Sequence, residues 1–375
     1  MRFAIIFICT AAGYLLSSQF RVITHPTPID NYVVLANAWA HGHLWIGDSE
    51  PPFIDCMMYM GKCYIIEGPM PAVLMLPLVL MFGLHANQSL VCVVIASAGV
   101  AASDLLLGRM NIEEQLRLWL VGFFGFGTVI WWCTVNPAVW MFAHVTCATF
   151  LVFGLAEWYG KRRYWLVGLL FACAALTRFP AILAVLPFLY WTWIEGRSQG
   201  VRSFLFGLTP LLLLHVAYDF ARWHTPFDIG YMLFYYHDAM PSPGGSPFAF
   251  SNIPYNVYSY FFLSPGFTDV PPWIVLRSQG VSLTLTSPAL VLALLAPRSK
   301  ETLILWLSAA LVAVPSLLYY TNGFSQFGMR HSLDFTPFLL CLVARGFNRW
   351  PDALCYGLIA YSVIANAFGV RWFII

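Results

Sequence analysis

The residues able to do chemistry gather in a few polar stretches of an otherwise apolar chain. The first, residues 28–44 (PIDNYVVLANAWAHGHL), holds Asp30, the first acidic residue. Asp55 and Glu67 follow before the next apolar run; Asp219, Arg222, His224, Asp228, His237 and Asp238 share a second stretch; Arg330, His331 and Asp334 share a third. A positioned carboxylate can take a proton from a hydroxyl or hold sugar hydroxyls. An arginine offers two parallel donors to phosphate. His41 and His43 are two apart and do not face each other on a helix, which makes them interfacial polar residues rather than ligands. No metal motif, P-loop or dinucleotide fingerprint is present, so the sequence implies no cofactor, and a divalent cation would bind without a motif of its own.

These residues need elements to position them. The chain has 375 residues, 60% of them apolar and 10% charged, against roughly 25% charged in a soluble domain. Apolar runs of about 20 residues recur from end to end, many closed by a basic cluster such as Lys161-Arg162-Arg163. This predicts an all-α polytopic membrane protein, one integral-membrane domain over 1–375, with about eleven transmembrane helices. No strand alternation suggests a β-barrel. Residues 3–18 read as an uncleaved signal anchor, with Arg2 in the cytoplasm. Loop 21–69 then lies outside. It holds an amphipathic surface helix over 28–44, with Tyr32, Leu35, Ala36 and Trp39 on one face. At its start Asp30 is either a helix cap or a reactive carboxylate. A second interfacial helix is expected over 72–82.

Further crossings are expected at 88–107, 118–133, from Asn136-Pro137 to Tyr159, and over 204–218, 281–295, 303–320, a run ending at Arg345, and 354–370. Residues 164–194 would make roughly 45 Å of helix, long for one span and short for two. Two short spans meeting at Thr177-Arg178-Phe179-Pro180 keep the later basic clusters inside and leave a dent in the outer face with Arg178 at its rim. The second long outer loop, 219–272, is rich in Pro, Gly, Tyr and Phe; loops of this length are usually functional or disordered, and the aromatic content here argues for packing onto the membrane surface. The isolated outer arginines Arg178, Arg222 and Arg330 sit where the charge rule disfavours them. Seven cysteines fall in apolar segments; Cys56 and Cys63 flank Met60-Gly61-Lys62 and can close a hairpin by a disulfide. The polarity gathers at one interface, which suits an enzyme working where a lipid headgroup meets water.

Three stretches carry a family resemblance: Asp30-Asn31-Tyr32 through His41-Gly42-His43-Leu44; Tyr64-Ile65-Ile66-Glu67-Gly68-Pro69-Met70-Pro71 leading to Phe82-Gly83; and residues 220–231 paired with 326–335. In that order and topology the chain resembles the GT-C superfamily of integral-membrane glycosyltransferases. It departs in having Asp30-Asn31 where an acidic pair is frequent. The resemblance implies inverting transfer of a sugar from a polyprenyl-phosphate donor to an extracytoplasmic glycan, lipid or protein acceptor, with Asp30 as base. Arg330 and Arg222, then Arg178, would hold the donor phosphate. Glu67, Asp55, Tyr231, Tyr235, Tyr236, His237 and His331 would contact the sugar or acceptor. Plainer readings pair Arg330 with Asp334 at i+4 and Arg222 with Asp219 at i−3. They make His144 and His215 core histidines. A non-catalytic membrane subunit with a transferase-like fold, or a lipid or solute transporter, is the alternative. Nucleic acid has no place in any of these readings. The basic asymmetry points to a bacterial inner membrane with the active side extracytoplasmic.

Overall fold

The computed structural model describes residues 1–52, 54–237, 246–271 and 273–374. It is 71% helical. Among the described residues, five helical segments are long and apolar enough to cross a membrane: Gln88–Arg109, Val139–Tyr159, Phe179–Trp223, Lys300–Leu318 and Asp352–Trp372. This build is compatible with an integral membrane protein.

In chain order, α1 (Arg2–Ser17) and the single turn α2 (Arg21–Thr24) precede α3 (Asn31–Ala40). A hairpin of β1 (Cys56–Tyr59) and β2 (Lys62–Ile65) leads to α4 (Met70–Phe82), then α5 (Gln88–Arg109), α6 (Glu114–Phe126), α7 (Ile130–Val135) and α8 (Val139–Tyr159). Next come α9 (Tyr164–Thr177), a 3-10 turn (Phe179–Ala184), α10 (Val185–Trp223) and α11 (Gly230–His237). After α12 (Ile253–Phe261), the two-residue strands β3 (Gly266–Phe267) and β4 (Ile274–Val275) pair. The chain ends with α13 (Leu283–Thr286), a 3-10 run (Pro288–Leu295), α14 (Lys300–Leu318), a 3-10 turn (Arg330–Asp334), α15 (Thr336–Gly346) and α16 (Asp352–Ile374).

Two of the long helices start where a side chain satisfies a free amide. Asn87 Oδ1 accepts from Leu90 N at 2.9 Å to open α5, and Ser299 Oγ accepts from Thr302 N at 3.0 Å to open α14. At 1.5 Å per residue, α5 and α8 run about 33 and 31 Å, close to a bilayer's hydrocarbon thickness. The ends of the bundle differ. At one end Asp104 of α5 pairs with Arg2 (2.9 Å) and Arg117 (3.1 Å), Glu157 of α8 with Arg163 (2.9 Å), and Arg345 of α15 with Glu301 (2.6 Å). These tie the helix ends together. The other end holds Asp30, Glu67, Arg178 and Arg330.

The chain divides at Arg178 as the charge pattern predicts. Residues Tyr164–Thr177 form one short helix, Arg178 turns extended (φ −140°, ψ 105°), and the chain returns through the 3-10 turn into α10. Helix α10 is itself two helices joined at Arg197, whose φ of 51° and ψ of −153° break the ladder between basic residues. Helices α9 and α10 pack so closely that a Cβ on Gly207 would lie 1.7 Å from the Trp165 carbonyl oxygen, the small-residue contact that helices use where apolar surface alone gives no drive to associate.

Several expectations need correcting. The first-loop helix is not a surface helix: Asn31, Tyr32, Val33, Leu35, Ala36 and Ala38 are all buried, because α4 and the segment around Glu67 close over the side expected to meet solvent. Helix α4 is the two-faced one, burying Pro71, Ala72, Met75 and Val79 while Val73, Leu80 and Met81 are exposed. The run over 118–133 breaks after Gly127 into α6 and α7. The run over 281–295 is not a regular span: Ser287-Pro288 ends α13, and eight 3-10 residues cover only about 16 Å. In the hairpin, Met60 and Gly61 both have positive φ (50° and 74°), the two-residue turn whose twist matches its strands. It aligns Cys56 and Cys63, which are disulfide-bonded with Cα atoms 5.7 Å apart.

Candidate active site

Five elements meet at the end of the bundle opposite the ion-paired one. Helix α3 brings Asp30 and Asn31. The hairpin is flanked by Asp55 and Glu67. Helix α8 carries Trp140 and His144, α9 ends at Arg178, and the Arg330–Asp334 turn supplies Arg330, His331 and Asp334. Arg178 follows the 14 residues of α9 and His144 stands 15 residues before the end of α8. Both are therefore about 21–23 Å from the ion-paired end, inside a bilayer's thickness.

One half of the site is acidic. Asn31 Nδ2 donates to both Glu67 oxygens (3.3 Å each) and to the Asp55 carbonyl (3.2 Å). Burial pushes the Glu67 carboxyl up to about 8, and the nearby Asp55 charge adds to the rise. Burial also raises Asp55, against the Trp140 Nε1–H that donates to its Oδ2 at 2.9 Å. Asp30 is raised by burial too. Its carboxylate makes no side-chain hydrogen bond and does not cap α3, so the capping reading of Asp30 fails.

The other half is basic. Asp334, buried, accepts from His144 Nδ1 at 2.7 Å and from Arg178 Nε at 3.3 Å. The ion pair expected between Arg330 and Asp334 is absent from the described contacts, because His144 and Arg178 take that carboxylate. Arg330 Nη1 instead donates to the Phe324 carbonyl (2.8 Å) and Gln326 Oε1 (3.3 Å). Its guanidinium lies 6.0 Å from the Trp140 ring centre, so Trp140 touches both halves. The His331 ring packs against that of His144 at a 32° tilt, with ring centres 5.1 Å apart. Helix α11 adds an aromatic cover: Tyr231 and Tyr235 stack at 6.3 Å, and Tyr235 meets Tyr319 and Tyr320 at 6.0 and 5.1 Å. Asn31 Oδ1, Tyr32 Oη, His144 Nε2 and Arg330 Nε are buried without a protein partner, and each gains free energy from a polar molecule that meets it.

The three arginines differ in the partners they take and in exposure. Arg178 spends only Nε on Asp334 and keeps 21% of its side chain exposed. Arg330 is 8% exposed with one nitrogen engaged by the loop. Arg222 is not brought to the site. It is 1% exposed, bonded to Asp219 at 2.7 Å as the plainer reading held and to the Ile65 carbonyl at 2.9 Å, and it lies over Tyr218 at 4.0 Å. His237 ends α11, and its side chain, like that of Tyr236, lies outside the described residues. Sequence reasoning passed over Asn31 and Trp140 and left His144 as a core histidine; the signal available was an ionisable residue within an apolar span. Among the described residues His215, Asp219 and Asp228 stand close enough to share a metal ion. Arg222 Nη2 already lies 2.7 and 3.7 Å from those two carboxylates and supplies the positive charge.

Two predictions arise here. Gly68 joins Glu67 to α4, and a Cβ there would lie 2.4 Å from the Leu176 carbonyl oxygen and 2.7 Å from that of Thr177. These are backbone atoms, so Gly68→Ala must push the Glu67 segment off the end of α9, at about 1–3 kcal/mol. The check is a lower Tm in detergent with a larger loss at the site than overall. The second concerns Glu67. Its folded pKa lies above the ordinary value of 4.5, so the folded chain holds the proton more tightly. The stability this contributes is present in full below pH 4.5 and is lost as pH rises through about 8. Glu67→Gln should flatten the fall of Tm across that window.

Comparison with protein-family models, with curated proteins and with solved structures finds no match for this chain.

Proposed function

We propose that the chain is a GT-C-like membrane glycosyltransferase that moves a sugar from a polyprenyl-phosphate donor to an acceptor hydroxyl. The observation that supports this best is a buried acidic half, Glu67 and Asp55 joined through Asn31, that shares Trp140 with a basic half of Arg178 and Arg330, with the partly buried Asp30 next in the chain to Asn31. Asp30 takes the proton of the acceptor hydroxyl as its oxygen bonds to the anomeric carbon. The bond from that carbon to the phosphate oxygen breaks on the opposite face, inverting the centre. The electron pair leaves on the lipid phosphate, whose charge Arg178 and Arg330 stabilise. Asn31, Asp55 and Glu67 orient sugar hydroxyls. Tyr231, Tyr235 and His331 pack on the donor or acceptor, and α11 excludes water. The site faces the extracytoplasmic side of a bacterial inner membrane in this reading.

Transfer by the purified protein in lipid vesicles, followed as polyprenyl phosphate released from a panel of polyprenyl-phosphate sugars, tests it. Turnover with one donor, and weaker donor binding in Arg178→Ala than in Arg222→Ala, is the expected result. No release with any donor would favour the second reading, a lipid or solute carrier. The specific observation behind that reading is the ionisable set of His144, Asp334 and Arg178 within the bundle.

A further inference from the structure

A cavity of about 350 Å³ opens where α1 ends, between α2 and the first turns of α5 and α8. It adjoins the site through Ser325, next in the chain to the Phe324 carbonyl that holds Arg330, but none of the site's residues line it. Arg21 and His25 line it with Ser18, Thr27, Ser89 and Asn136, and no carboxylate does. The Arg21 side chain makes no hydrogen bond or ion pair with any described residue, in contrast to the paired arginines at the opposite end of the bundle. His25 Nδ1 is held 2.8 Å from Thr24 Oγ1, leaving Nε2 without a partner. The positive ends of the α5 and α8 dipoles fall on the same side.

The depth of this cavity narrows the occupant. It sits at the N-terminal ends of two helices about as long as the hydrocarbon core is thick, the level at which a lipid headgroup lies. Leu16, Phe20, Ile23 and Leu90, each within two residues of a lining residue, are exposed. Phe20 stands at φ 59° at the head of α2.

We propose that this cavity is a second anion site, binding the phosphate of an anionic membrane lipid through Arg21 and His25. Phosphate is shared by lipid headgroups and soluble anions, and the apolar residues beside the cavity favour the lipid. The guanidinium and the imidazole donate to the phosphate oxygens, Ser18 and Ser89 flank them, and the acyl chains run outward past Phe20 and Ile23. This assignment is independent of the transfer reaction.

The test uses the full chain in vesicles of equal phosphatidylglycerol and phosphatidylcholine, extracted and weighed by native mass spectrometry. Wild type should retain phosphatidylglycerol in preference. Arg21→Glu should lower that retention about tenfold, the loss of one charge-assisted contact, and Arg21→Lys should keep most of it. Titration with inorganic phosphate separates the two sources: if it raises the Tm of wild type but not of Arg21→Glu, without selective lipid retention, the occupant is a soluble phosphate and the lipid assignment is overturned. Equal retention of both lipids by wild type and Arg21→Glu, with no response to phosphate, overturns the site altogether. If Arg21→Glu does not fold, His25→Gln carries the same comparison, with a smaller expected loss. Sugar transfer is not among the readouts, so the result stands whether or not Asp30 is a base.

Discussion

Asp30→Asn should lower the turnover of sugar transfer about a hundredfold to ten-thousandfold, the range over which a positioned base acts, while the donor still binds and the protein still folds. The expectation of intact folding comes from the site itself. The Asp30 side chain does not cap α3, and it makes no ion pair or side-chain hydrogen bond with a described residue, so the amide removes charge and basicity and little else. Burial raises its pKa, which brings a carboxylate closer to the operating range of a general base. Single-turnover release of polyprenyl phosphate measures the chemical step, and donor affinity and Tm measured beside it separate that step from binding and stability. A variant that loses turnover with affinity and Tm unchanged has lost the base. One that turns over like wild type moves the role to Asp55 or Glu67, and the same substitution at each then decides between them.

Much of this arrangement can be read from the chain, and the parts that cannot share a physical cause. Apolar runs closed by basic clusters place α5, α8, α14 and α16, because burial of whole helices in hydrocarbon leaves a signal in every residue. The break at Arg178 follows from helix length and charge alone. The hairpin follows from Met60-Gly61 between two cysteines. The failures come where tertiary contact decides. Periodicity made α3 a surface helix, since an apolar stripe looks the same against lipid as against protein; Asn31 is buried only because Glu67 arrives to bond it from 36 residues away. The partner of Asp334 is the same kind of problem. A pairing at i+4 is visible in sequence, whereas His144 and Arg178 are 190 and 156 residues distant, and no local pattern reports them. Arg222 shows the converse, since its near neighbour Asp219 is the partner the chain suggests.

Asp334→Ala should be the most destabilising single change in the bundle. The carboxylate is buried and holds two groups at once, His144 at 2.7 Å and Arg178 at 3.3 Å. Truncating it leaves a guanidinium within the helices with no counter-charge, and removing one partner of a buried pair costs about 3–5 kcal/mol. A lower Tm or failure to extract a monodisperse protein is the expected observation, and a Tm within a degree or two of wild type would show that solvent reaches Arg178 and carries the charge. The double variant Arg178→Met with Asp334→Leu separates two roles that the single change confounds. Replacing a buried ion pair by apolar side chains of similar size is often neutral or stabilising, so the double variant should recover most of the lost Tm. Under the proposed reaction it should not recover transfer, because Arg178 has two nitrogens free of Asp334 and no apolar side chain can donate to a phosphate in their place. Stability restored without activity would place Arg178 in phosphate binding; activity restored with stability would reduce it to a counter-ion and leave the phosphate to Arg330.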